Sequence, residues 1–131
     1  MASAVRRVKI PQTFEGAAWK WMRYSGILLI PLVWFHVILQ DVVVGVHAMD
    51  AGYVSGRWGL LIWQVYDILL LAFAFAHGVN GLRQVLSDFV TSERLMRRFT
   101  LALLLFWAAL TFIGGFAIIM AARSAIFSPA G

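Results

Sequence analysis

His36 and His77 are the residues of this chain best suited to chemistry. Each stands inside a long apolar run, where an ionisable ring is costly and by default functional. Neutral imidazole is a strong axial ligand for haem iron; otherwise a histidine so placed bonds a carbonyl or joins a proton relay. His77 opens the run HGVNGLRQVLSDF at 77–89. Its glycines, Gly78 and Gly81, offer bare backbone against which a flat cofactor can lie. Arg83 and Asp88 follow, towards the expected membrane edge. His47 sits beside Asp50 and Gly52 at the far end of the first apolar run, where water reaches, and reads as an ordinary interfacial histidine.

A second group opens the first run: Arg23-Tyr24-Ser25-Gly26. A serine hydroxyl and a guanidinium at the membrane edge can hydrogen-bond a quinone carbonyl. Asp88 is expected on the same membrane face, and quinone reduction needs hydrogen-bond donors and a water-linked acid. Taken singly, these residues read as positive-inside anchors and helix caps; taken together, the quinone reading stands level with that one. Asp67, with Gln64 and Tyr66 nearby, lies eight residues into the second run. A carboxylate there must face protein or water. It could pair with a partner cation, orient a haem ligand or carry protons from the outer side, and Asp41 could share its cavity.

The elements that must hold these residues are membrane helices. Of the 131 residues 62% are hydrophobic and only 13% charged, with a mean hydropathy of +0.83. A soluble domain carries about 25% charged residues. Three runs are long enough to cross ~30 Å of hydrocarbon as helices: about 24–46, 59–82 and 100–122, within one membrane domain over 1–131. Pro31 lies inside the first, a position that membrane helices tolerate. The third has no ionisable group; its Gly114-Gly115 pair suits helix packing. Short interfacial helices are expected around 12–22 and 84–97. Without cysteine, the chain has no disulfide, thiolate zinc site or cysteine-held cluster of its own.

Charge gives the expected orientation. Arg6, Arg7, Lys9, Lys20, Arg23, Arg83, Arg94, Arg97 and Arg98 flank one face, against Arg57 and Arg123 on the other. Nine against two places the N-terminus in the cytoplasm. The same placement explains the net charge of +5 better than nucleic-acid binding does. The apolar run after the basic N-terminus is too long for a signal-peptide core, so it reads as an uncleaved span. Trp19, Trp21, Trp58 and Trp63 fit headgroup-level belts. Measured from the inner face, His36 lies roughly 18 Å deep and His77 about 8 Å. Two depths allow two haems, each completed by a partner chain.

The motifs WMRYSG at 21–26, WQVYD at 63–67 and HGVNGLRQVLSDF at 77–89, with His36 thirteen residues after Arg23, resemble the D-type membrane-anchor subunit of succinate dehydrogenase (complex II) in actinobacteria and archaea. The likeness covers about Trp19 to Phe89. The sister C type usually carries histidine before the arginine of the first motif, where this chain has Met22.

The resemblance implies a membrane anchor that does no succinate chemistry itself, in the inner membrane of a bacterial or archaeal cell. It would dock a flavoprotein, an iron–sulfur subunit and a sister anchor C, and pass electrons to menaquinone or ubiquinone. His77 matches the family's ligand to haem b, and His36 the ligand to a second haem in two-haem relatives. Arg23 and Asp88 match positions around the quinone. Many relatives have tyrosine after that aspartate, whereas this chain has Phe89 and so no hydroxyl to offer there. Two other functions fit the same residues. One is the anchor of a quinol:fumarate reductase; the other is a small transporter or proton channel with His36, Asp67 and His77 as its relay.

Overall fold

The computed structural model describes residues 13–127, which are helical apart from short connections and contain no strand. Thr13 starts the first helix, its hydroxyl accepting the Gly16 N–H at 3.2 Å. This N-cap satisfies one of the first turn's free donors, and Glu15 in that turn complements the helix dipole. Helix α1 then runs Phe14–Val37, straight through Pro31. Beyond it the winding loosens to a π-helix over Ile38–Val44. This stretch ends in three valines, whose branched side chains crowd a helical turn. Gly45 stops it at φ 83°, a conformation that favours glycine.

A single 3-10 turn over Val46–Ala48 leads to Asp50, whose carboxylate accepts the Tyr53 N–H at 2.7 Å and caps α2, Ala51–Trp58. A tight turn at Gly59 follows, where a Cβ would come 3.0 Å from the Gly56 carbonyl oxygen. Helix α3 spans Leu61–Phe89. The extended link Val90–Ser92 separates it from α4, Glu93–Phe127.

Three helical segments are long and apolar enough to cross a membrane: Phe14–Val44, Leu61–Phe89 and Glu93–Ser124. Helix α3 packs on both α1 and α4, and α2 rests against α4 and α3. The α3–α4 seam depends on small residues. Gly115 is buried, and a Cβ on Gly114 would run into Leu71. Trp107 also donates its indole N–H to the Ala72 carbonyl at 3.0 Å, a tie that matters where no water can take its place. Apolar burial is slight: among the described residues only Ile118 and Ala122 count as apolar core. Many of the large apolar side chains are exposed, as they are in membrane segments that meet lipid.

The short helices differ in place from the sequence expectation. From Phe14 onward, residues 14–22 are the first turns of α1 itself, while residue 12, like Arg6, Arg7 and Lys9, lies outside the described residues. The expected 84–97 helix is two parts, the end of α3 and the start of α4. The separate short helix is α2, at the other end of the bundle. Its Asp50 cap and Gly59 exit are local signals, and they lie in a segment with too few apolar residues to stand out as helix.

Candidate functional site

Polar side chains gather at two levels. At the first, near Glu15, α1 and α3 are joined by paired contacts. Ser25, one turn after Met22, is 2% exposed, and its Oγ lies 2.9 Å from His77 Nδ1 and 3.3 Å from the Met22 carbonyl. Gly26 lets the imidazole lie flush on α1, since a Cβ there would sit 3.3 Å from His77 Cε1. Asn80 donates to the Ala18 carbonyl at 3.0 Å. Arg83, buried at 4% exposure, makes two bonds to Glu15, Nη1 to Oε1 at 2.8 Å and Nη2 to Oε2 at 2.7 Å. Its guanidinium also lies over Phe14, 5.1 Å from the ring centre. Behind this row is an apolar cavity of about 510 Å³ between α1, α3 and α4, which Asn80, Arg83 and Thr100 edge with polar atoms.

The second level lies at the α2 end. Asp67 accepts from Arg57 Nη2, 2.6 Å to Oδ1, and from the indole N–H of Trp58 at 2.7 Å. Arg57 also lies over Trp63, 4.6 Å from the ring centre. Asp67 Oδ1 is 3.8 Å from His36 Nδ1, too far for a hydrogen bond. That nitrogen is buried without a hydrogen-bond partner, as are Arg57 Nε and Nη1 and Gln40 Oε1. His36, Gln40, Arg57, Trp58 and Asp67 all line one cavity of about 530 Å³. Tyr66 stacks near His36, ring centres 6.4 Å apart, and donates to the Leu32 carbonyl at 2.6 Å. It thereby pins the part of α1 that follows Pro31.

The histidines thus stand at different levels. Asp67 and His77 are ten positions apart on α3, and Ser25 and His36 eleven apart on α1. At 1.5 Å per residue both ladders give an offset of roughly 15 Å. The residues of α3 between the two levels, ILLLAFAFA at 68–76, are all apolar, so no polar side chain of that helix links them.

The quinone candidates are dispersed. Ser25 is buried against His77. Arg23 is exposed, its guanidinium 4.8 Å from the ring centre of Trp19. Asp88 and Phe89 are exposed in the last turn of α3. Among the described residues the ion pairs are Arg57–Asp67 and Arg83–Glu15, with the His36 ring also 3.8 Å from Asp67, so Arg23 and Asp88 are not joined to each other. Of the two glycines after His77, Gly81 faces Met22 and Gly78 faces open space. The glycine beside the imidazole is Gly26, on the other helix.

Asp67 has its cation within the chain, in Arg57, which charge counting had set aside as an outer-face anchor. Asp41 is exposed on the π-helix and does not line the Asp67 cavity; Gln40 does. Trp58 is a ligand of the carboxylate as well as a membrane-edge indole. The available signal was a buried acid needing donors, with an arginine and a tryptophan on the preceding helix. His47 is exposed in the 3-10 turn, in keeping with an interfacial position.

No curated protein matches the chain by sequence. A family model does match, over residues 3–118, nearly the whole length that carries these helices and both polar levels. On that match the chain belongs to the succinate dehydrogenase/fumarate reductase transmembrane subunit family, as a membrane subunit of an oxidoreductase complex.

Proposed function

We propose that the chain is a haem b-bearing anchor of a succinate:quinone oxidoreductase, with His77 and His36 as axial ligands. The observation that carries this reading is the setting of His77, whose Nδ1 bonds a buried hydroxyl while the ring keeps its other nitrogen. A fixed ring with one nitrogen remaining is the arrangement that metal-bound histidines use. The donor set at the second level also fits, because the Nδ1 of His36 is a buried orphan facing a carboxylate. Haem bound at either histidine would supply one-electron transfer. The protein would hold each ring in place, exclude water and keep charge balanced.

In this reading the Glu15 end faces the cytoplasm, in line with the positive-inside count. There the chain, with a sister anchor subunit, docks the iron–sulfur and flavoprotein subunits. Arg23 and Asp88, both exposed at that end, are the groups available to a quinone and to the water that must protonate it. Phe89 supplies no hydroxyl, so a donor for the quinone would come from another subunit.

A fumarate reductase anchor would use the same residues with electrons flowing the other way, and the family description covers both. A proton relay from His36 through Asp67 to His77 finds less support, because roughly 15 Å of apolar α3 lies between its last two members.

The test is a reduced-minus-oxidised spectrum of the complex purified through a tag on this chain. Sharp b-type bands, lost or shifted in His77→Ala, are expected, and His36→Ala should affect a second, spectrally distinct haem. A flat spectrum from an intact, active complex would overturn both ligand assignments.

A further inference from the structure

Ser25 lies where sequence alone suggests a quinone contact, yet its hydroxyl points into the protein. Only 2% of the residue is exposed, and both of its polar contacts are internal. A serine hydroxyl has one proton to donate and two lone pairs to accept with. The Met22 carbonyl, three residues back on the same helix and 3.3 Å away, can only accept. This is the back-bonding that serines adopt within helices. With the hydroxyl proton on the Met22 carbonyl, the 2.9 Å contact to His77 is a bond from the ring's N–H to Oγ. Both contacts are satisfied in one tautomer alone, with the proton on Nδ1.

We infer that Ser25 is a positioning residue for His77: its hydroxyl accepts the Nδ1 proton and so leaves Nε2 unprotonated, with its lone pair available to iron. The inference rests on the haem reading given above. Three features of α1 build the device. Met22 fixes the hydroxyl's direction, Ser25 fixes the tautomer, and Gly26 leaves room for the ring to lie against the helix. A neutral hydroxyl does this without adding charge inside the membrane, where a carboxylate in the same place would be costly. The N–H bond also makes the ligand more basic, which favours ferric over ferrous iron.

The assembled complex carrying Ser25→Ala tests this against Ser25→Thr, which keeps the hydroxyl. The readouts are the haem midpoint potential, the low-spin ferric EPR signal, and the rate of haem transfer to apomyoglobin. Ser25→Ala is expected to move the potential of one haem to a more positive value and shift its EPR signal. It should also weaken haem retention roughly 10–100-fold. Ser25→Thr should resemble the parent on all three. Unchanged potential, EPR and retention in Ser25→Ala would overturn the inference, and a raised quinone KM alongside would place Ser25 at the quinone instead. A Thr variant that behaves like Ala would also overturn it, since the hydroxyl would then be irrelevant. His77→Ala separates the two levels of the argument: full haem retention there rejects His77 as ligand, whatever Ser25 does.

Discussion

Arg57, near the end of α2, and Asp67, in the second turn of α3, meet across the turn that joins their helices, Nη2 lying 2.6 Å from Oδ1. Their side chains are 6% and 12% exposed, so the pair is held away from solvent. It cancels the charge of Asp67 inside the second span, where a bare carboxylate would be costly. It also ties α2 to α3 across the turn between them.

Breaking that pair from one side should be worse than removing it. Arg57→Met or Asp67→Leu alone is expected to cost about 3–5 kcal/mol, because each leaves one charge buried and unpaired. The double variant should cost less than either single one. Stability of the purified complex towards heat or denaturant measures this as a double-mutant cycle. Additive losses would show that the two charges do not depend on each other.

On the proposed reading of His77 as a haem ligand, Gly26→Ala should disturb the haem spectrum where Gly78→Ala does not. The new methyl at 26 would sit 3.3 Å from His77 Cε1, so the ring must shift by a few tenths of an ångström. At 78 a methyl meets nothing within 4 Å. Difference spectra of the two complexes decide it, and the opposite ranking would mean that the ligand plane does not rest on α1.

These glycines show how far the sequence can be read. Helix number and span were legible because apolar runs of more than twenty residues admit few other structures. That His36 and His77 stand at different levels was legible because rise per residue converts position into height, although the helix pairing sets them roughly 15 Å apart where the run boundaries alone suggest about 10 Å. The partners were not. Gly78 and Gly81 are the glycines nearest His77 in sequence, and Gly78 does face open space; the glycine that meets the imidazole itself is Gly26, on another helix, and no periodicity pairs the two. Which cation Asp67 takes was not legible for the same reason: Arg57 is ten residues away, beyond a turn whose geometry no periodicity encodes. The short helix α2 was missed because eight residues with a cap and little apolar content leave a weak pattern.

Glu15→Gln should loosen the N-terminal part of α1 from α3. Arg83 is buried and makes two bonds to Glu15, whose own side chain is 68% exposed, and a longer one from Nε to Asn80 Oδ1 at 3.4 Å. Because one partner is wet, the expected loss is modest, about 1 kcal/mol. Faster proteolysis or hydrogen exchange confined to the first turns of α1 would report it. An unchanged exchange pattern there would show that Asn80 and its bond to Ala18 suffice.

Trp107→Phe removes the indole bond to the Ala72 carbonyl while keeping most of the ring's packing. Interhelical hydrogen bonds in membranes average ~0.6 kcal/mol and reach ~1.7, so a loss within that range is expected. Gly114→Val, which must displace Leu71 from the α3–α4 seam, should be more damaging. The order of the two in thermal inactivation of the complex checks the claim that close backbone approach, more than the indole, holds α4.

The π-helix over Ile38–Val44 has a consequence for how this chain compares with its relatives. Such wider turns accommodate an extra residue within an otherwise α-helical frame. A relative with one residue fewer here could wind as plain α-helix and keep the equivalent of His36 in place. Everything beyond it would then be turned by about 100°, the angle of a single residue in an α-helix. A gap of one in an alignment would therefore separate two versions of the connection that follows, beyond an unchanged His36. The valine-rich stretch is the place to look for lineage-specific insertions and deletions.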